Sequence, residues 1–357
     1  MANGTAKSFQ ASRPTVSVAG QDKPALAAGL LRLLIVENTN GLYRCEASFG
    51  NWGNVNNQPD FLYFDRRTLD FGKSLTIKFG SETTLFDGKI MALEANFPEG
   101  QAPELNVLAE DRLQDLRMTR RTRTFEDVSD ADVIDQIATE HGLNKSHNLT
   151  ERKYKVLAQV NQSNLAFLRE RARAIDAELW VEGSTLNANS RTNRITGSVE
   201  LTYGNQLREF SAAADLANQR TSMIISGWDV AGKSAIKHEA DDSIMSGELD
   251  GDTSGASILN SAFGKRKEEM AHTVPLSSQE AQAEAEALFK MSARRFIVGH
   301  GIAEIDAALR VGRYVVLKGL GPLFSGKYYV SEVRHMFDSV KGIRTEFTVE
   351  RPGLGRP

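Results

Sequence analysis

Apolar residues recur at every second position through much of the chain. "LLRLLIVE" is followed by Thr39-Asn40-Gly41 and then by "LYRCEASFG", which predicts two strands joined by a hairpin turn whose Asn-Gly supplies positive φ angles. "SLTIKFG" (74–80), "TTLFDGKIMALEANF" (83–97) and "PELNVLAED" (103–111) continue the pattern, with Asp87-Gly88 read as a further turn. Short strands at this spacing with little helix predict a small antiparallel β-barrel or sandwich over 15–118, preceded by a flexible arm, 1–14.

The period then changes. In "FEDVSDADVIDQIATEHGL", Ser129 or Asp130 can cap a helix whose Val133, Ile134, Ile137 and Ala138 share one face, with Gly142 at its end. Leu165, Leu168, Ala172 and Ile175 form a second helical stripe, and the strand "ELWVEG" follows. Residues 119–184 therefore read as an α+β insertion between two β regions. The second region, 185–357, ends in "GRYVVLKGLG", "SGKYYVSEVRHMF" and "GIRTEFTVERP". Within it, 241–275 reads as a mobile loop, rich in Gly, Ser and Asp over 241–257. A helix over 277–295 opens on the capping box Ser277-x-x-Glu280. The fold class is α+β, predominantly β.

Composition narrows the function classes. The chain has 357 residues, 41% hydrophobic and 25% charged, which suits two or more cores and excludes a disordered chain. A net charge of −3 exerts no general pull toward nucleic acid or an anionic membrane. The amino terminus shows no apolar signal segment, so synthesis in the bacterial cytoplasm is expected. "ALAAGLLRLLIV" is too short to span a bilayer, and no membrane insertion is expected. The single cysteine, Cys45, excludes an internal disulfide and reads as a half-buried strand residue, with a catalytic thiol as the alternative.

Candidate chemistry is sparse. Gly227, Gly232, Lys233 and Ser234 match the spacing of a phosphate-binding loop, in which backbone amides surround phosphates, the lysine reaches the terminal oxygens and the hydroxyl holds Mg²⁺. The following "AIKHEADDSIMSG" makes a poor helix and no Mg²⁺-holding acidic strand follows, so a strand–turn–strand reading competes with nucleotide binding. His141, His147, His238, His272, His300 and His335 form no H-x-x-x-H pair; His141 reads as a helix-end residue and His335 as a strand-face residue. "DGDTSG" lacks the spaced oxygen ligands of a calcium loop. No metal, cofactor or catalytic residue is assigned. Arg117, Arg120, Arg121 and Arg123 crowd one segment, either as a solvated strand face or as a contact for an acidic protein neighbour.

Five pieces in order resemble the phage late control D family, the tail-hub proteins of contractile phages, and the amino-terminal hub part of type VI secretion spike proteins. They are "LFDGKIMALEANFPEGQAPELNVLAEDRLQDL", "TFEDVSDADVIDQIATEHGL", "YKVLAQVNQSNLAFLRERARAIDAELWVEGSTL", "MIISGWDVAGKSAI" and the closing "LRVGRYVVLKGLGPLFSGKYYVSEVRHMFDSVKGIRTEFTVER". The resemblance implies a non-enzymatic scaffold. Each chain would supply two related β-barrels to a trimeric ring, joining a sixfold tail tube and baseplate wedge components on one face to a threefold spike on the other. It places Trp228 and Asp229 in a β-region of the hub and makes them, with Arg120, Arg121 and Arg123, candidate interface residues. Since the chain stops at Pro357, the spike is expected as a separate polypeptide.

Overall fold

The computed structural model describes residues 13–80, 83–194, 197–229, 232–270, 275–340 and 342–356; the expected arm lies almost wholly outside them. The first lobe comprises β1 (Thr15–Val18), β2 (Gln21–Asp22), α1 (Pro24–Ala28), β3 (Leu30–Asn38), β4 (Arg44–Gly50), the small hairpin β5 (Gly53–Val55) and β6 (Gln58–Asp60), β7 (Ser74–Phe79), β8 (Thr83–Asn96) and β9 (Glu104–Glu110). Alternation decides which side faces inward: Cys45, Ala47 and Phe49 of β4 are buried beside Leu105, Val107 and Ala109 of β9, and their neighbours face out. The β3–β4 connection falls where the sequence predicts, but its positive φ angles are at Gly41 (66°) and Leu42 (59°) and not at Asn40. Asp87-Gly88, in contrast, is no turn. Both residues lie inside β8, where a Cβ on Gly88 would sit 2.3 Å from the Glu110 carbonyl oxygen, so this glycine serves close strand packing.

The insertion follows: α2 (Gln114–Arg117), β10 (Arg120–Ser129), α3 (Asp130–Glu140), β11 (Asn144–Asn148), β12 (Lys153–Ser163), α4 (Asn164–Ala174), β13 (Ala177–Glu182), β14 (Thr185–Ser190) and α5 (Arg191–Arg194). Ser129 caps α3 reciprocally with Asp132, and Val133, Ile134, Ile137 and Ala138 are all buried. They pack with Leu165, Leu168 and Leu179 around the stacked rings of Phe125 and Phe167, whose centroids lie 5.7 Å apart.

The second lobe contains β15 (Ser198–Thr202) and β16 (Leu207–Ala214), and then a subsidiary unit: β17 (Ser222–Asp229), β18 (Ser234–Asp241), a 3₁₀ helix (Asp242–Glu248), β19 (Thr253–Ser254), α6 (Gly255–Phe263), β20 (Lys267–Met270) and α7 (Ser278–Ala293). The segment expected as a loop is thus largely regular structure. Its Asp and Ser residues are caps: Asp241 accepts from Ser243 N at 3.0 Å and Ser254 from Ser257 N at 3.1 Å, while Met245 and Leu259 are buried. Residues 271–274, with His272, lie outside the described residues. Ser277 caps α7 through Glu280 N at 3.1 Å. The lobe closes with β21 (Ile297–Ala303), β22 (Tyr314–Lys318), α8 (Gly321–Phe324), β23 (Gly326–Asp338), β24 (Gly342–Arg351) and β25 (Gly353–Leu354).

The expectation of two separate closed barrels needs correction. The lobes share one thirteen-stranded sheet, and among the described residues no closed barrel occurs. β23 runs for 13 residues but β22 for only 5, so β22 covers just the first part of β23. The remainder takes β3 of the first lobe as its neighbour, from Glu332 opposite Asn38 to Asp338 opposite Arg32. A strand longer than its partner leaves open backbone groups, and here the other lobe satisfies them.

Candidate assembly site

The lobes and the insertion also meet at a buried ionic junction. Glu178 of β13 accepts from Arg194 Nη1 at 2.8 Å and from the Tyr329 hydroxyl at 2.5 Å, with Arg191 Nε 3.4 Å away. Arg191 also meets Glu350 at 2.8 Å, and Arg194 donates to the Tyr43 hydroxyl at 2.6 Å. Two carboxylates and two guanidiniums thereby tie the first lobe, the insertion and the second lobe together. The cations are shaped by aromatic faces: Arg191 lies 4.1 Å from the Tyr329 ring centroid and Arg194 4.3 Å from that of Trp180. Gly312, at φ 84°, leaves the space Arg194 occupies, since a Cβ there would meet its Nε at 2.1 Å.

Electrostatics follow from burial and pairing. Burial works against the Arg194 charge, but the oxygens of Tyr43 and Glu178 outweigh it and hold its pKa above normal. The Tyr329 hydroxyl is pushed well up by burial and by Glu178. Glu37 is pushed up by burial, although Arg310 pairs with it and Val311 N donates to it at 3.3 Å. His335 faces the core rather than an open sheet surface: its Nδ1 lies 2.9 Å from Thr345 Oγ1, and burial, aided by Arg310, lowers its pKa to about 3. Arg294, at the end of α7, bridges Glu248 (2.8 and 2.7 Å) to Asp176 of the insertion. Arg351 joins Asp252 at 2.6 Å, so an acid of the "DGDTSG" segment serves as an ion-pair partner.

Buried charges paired in this way fix the relative orientation of the elements that carry them. The cavity beside Glu37, Tyr43, Trp180, Arg194 and Arg310 has a volume of ≈ 140 Å³, below the roughly 300 Å³ at which small-molecule pockets begin. Among the described residues no group of three His, Cys, Asp or Glu side chains could hold a metal, and no helix is long and apolar enough to cross a membrane.

The residues singled out from sequence fall in two places. Arg120, Arg121 and Arg123 lie on β10. Arg121 and Arg123 converge on Glu140 of α3 at 3.3 and 2.6 Å, Arg123 also reaches Gln159 and Asn164, and Arg120 donates to the Asn161 carbonyl at 3.0 Å. Trp228 and Asp229 end β17 in the subsidiary unit; Trp228 is half exposed, and Asp229 accepts from Gly232 N at 3.0 Å. The nucleotide-binding alternative does not survive the geometry. Gly227 lies within β17, where a Cβ would sit 2.6 Å from the Pro275 oxygen, and Ser234 opens a strand paired to Asp229, so no helix N-terminus faces a phosphate. Cys45 is fully buried, and burial raises its thiol pKa. His141 ends α3 with Nε2 2.9 Å from Asn164 Nδ2.

Sequence reasoning missed two features. The ionic junction joins residues too distant in the chain for spacing to reveal. The other is an exposed aromatic cluster in which Phe61 lies 5.2 Å from Trp52, 4.8 Å from Phe64 and 6.1 Å from Phe97, with Trp52 48% and Phe97 61% exposed. Its signal was the aromatic–amide run "NWGNVNNQPDFLYF", which has no period of two or 3.6.

Several solved structures share the fold. The 43 kDa tail protein of prophage MuSo2 from Shewanella oneidensis superposes with a TM-score of 0.70 at 12% identity, covering 95% of this chain and 98% of that one. The tail protein from Neisseria meningitidis MC58 gives 0.68 at 12% identity, covering 96% and 98%. The E. coli c3393 protein, described as a type VI secretion component structurally similar to T4 tail proteins gp27 and gp5, gives 0.55 at 10% identity over 92% and 76%. No curated protein sequence matches the chain. The model of the Alg8 N-terminal domain matches residues 14–339, and with nearly its whole length so covered this chain belongs to the Alg8 N-terminal domain family.

Proposed function

We propose that the chain is the structural baseplate hub of a contractile phage tail or a phage-tail-like injection device, joining a sixfold tail tube to a threefold spike. The observation that carries this reading is the repetition of one strand plan in two fused lobes: β3, β4, β7, β8 and β9 pair in the same succession as β16, β21, β22, β23 and β24. A chain with two equivalent lobes presents six when three copies assemble, which matches sixfold to threefold symmetry without a second gene product. The likeness to tail and type VI secretion proteins along most of the chain supports it.

In this role the protein transmits position and force and performs no catalysis, and the ionic junction holds the lobes and insertion at fixed angles. It is made in the bacterial cytoplasm and incorporated into the tail baseplate as a homotrimer, with the units 15–118, 119–184 and 185–357 as its parts, the first strand and helix of the last unit, β14 and α5, packing on the insertion. Its partners are a spike on one face and tube and wedge components on the other. Arg120, Arg121 and Trp228 are the exposed ones among the candidate interface residues. Light scattering and negative-stain imaging of the purified chain, alone and co-expressed with its spike, test the reading. A ring of three chain masses is expected; a monomer under both conditions refutes it.

A further inference from the structure

The duplication of the strand plan holds to the residue. In the first lobe the β3–β4 register shifts between Leu30 and Arg32, and in the second the β16–β21 register shifts between Leu207 and Glu209. The β8–β9 shift between Ile90 and Ala92 has its counterpart in β23–β24 between Val330 and Glu332. Aligning these bulges equates the row Ala92, Leu108, Glu46, Leu34 with the row Glu332, Thr348, His300, Ser211. β8 thus corresponds to β23, and β3 to β16.

Inside the chain the second half of β23 pairs with β3. The equivalent edges are the second half of β8, from Ala92 onward, and β16. Neither has a strand partner on that side among the described residues: β7 reaches only as far as Lys89 of β8, and β16 ends the strand path apart from one isolated bridge of Leu207 to Tyr203. Exposure points the same way. Phe337 in the internal seam is 4% exposed, whereas its counterpart Phe97 is 61% exposed. Beyond its bulge β16 reads Phe210-Ser211-Ala212-Ala213-Ala214, with none of the lysines or prolines that protect a permanently free edge.

We infer that β16 of one copy pairs antiparallel with the second half of β8 of a neighbouring copy, setting Ala92 opposite Asp215, Ala95 opposite Ala212 and Phe97 opposite Phe210. This register transfers the internal seam residue for residue. It rests on the hub reading in taking the partner to be another copy of this chain. The two edges differ, so the contact is head to tail, and such contacts propagate until the rotation closes a ring.

The test is oxidative cross-linking of the full chain carrying Ala95→Cys and Ala212→Cys; native Cys45 is fully buried and does not compete. A disulfide needs Cβ atoms within ~4.5 Å, whereas a four-residue offset moves them ~13 Å along a strand. Covalent dimers and trimers are therefore expected from the matched pair, and none from Ala95→Cys with Arg208→Cys or from either single variant. A three-chain particle in which the matched pair fails to cross-link overturns the seam and leaves the hub standing. Cross-linked open chains without a closed particle support the seam and refute the hub. A monomer that never cross-links overturns the seam. Independently, Ala95→Asp, exposed in the free chain, should abolish association and leave a folded monomer whose thermal midpoint no longer depends on protein concentration; undiminished association overturns the seam.

Discussion

Removing the Arg294 side chain as Arg294→Met probes whether the junction it makes between Glu248 and Asp176 is truly dry. The guanidinium is 5% exposed, between Asp176 at 17% and Glu248 at 9%. Each pair, with charge centres ~4 Å apart, is worth about 4 kcal/mol at an effective dielectric of 20, before desolvation offsets most of it. Deleting the cation alone leaves two carboxylates buried, a loss of about 3–5 kcal/mol; Lys290, 3.6 Å from Asp176, places the effect toward the lower end. Calorimetry should show a midpoint lowered by roughly 2 °C per kcal/mol for a chain of this size.

The pH dependence gives a sharper signature. Burial alone would raise the Glu248 pKa, but the hydrogen bonds and charge of Arg294 hold it below its ordinary 4.5. In the wild type that contribution is present above the ordinary value and is lost as pH falls through the depressed one. In the variant burial is opposed only by the weaker pull of the Arg191 and Lys290 charges, so the Glu248 pKa moves upward and stability should fall less, or rise, as pH is lowered from 7 toward 5. The double variant Arg294→Met, Glu248→Met should recover part of the loss, because an apolar pair replaces a broken ionic one. A single variant within about 1 kcal/mol of wild type with an unchanged pH slope would refute the dry junction, since only hydrated pairs are worth so little.

Further outcomes follow from the same geometry. His335 titrates at about 3 when folded and 6.5 when not, so wild-type stability should fall as pH drops through that window, by up to about 1.4 kcal/mol per unit; Glu37 and Asp111, raised by burial, act oppositely, so the quantity to measure is wild type minus His335→Gln in urea titrations. Gly88→Ala places a Cβ against the Glu110 carbonyl and should cost about 1–3 kcal/mol in chemical denaturation; a neutral outcome would show that β8 and β9 can move apart. Ser129→Ala removes the α3 cap and should cost about 1 kcal/mol, seen as faster amide exchange in the first turn of α3. Neither wild type nor Lys233→Ala should bind nucleotide in calorimetric titration, because Lys233 and Ser234 sit at a hairpin; binding lost on substitution would restore the phosphate-loop reading.

Sequence by itself determined the local elements of this protein. Alternation placed β3, β4, β7, β8 and β9, and the Ser129 and Ser277 caps placed α3 and α7, because strand period and helix capping are decided within a few residues. Local composition misled where tertiary contact mattered: Asp87-Gly88 looked like a turn but serves a close approach to β9, and the Asp, Ser and Gly of 241–257 cap short helices that an apolar core holds in place. Only the tertiary structure decided that the two lobes share one sheet, since that depends on β23 outrunning β22 and meeting β3 from the far end of the chain. The ionic junction was invisible for the same reason. Charge pairing is set by where folded units meet, and a sequence pattern records the face a residue occupies but not which distant face it will cover.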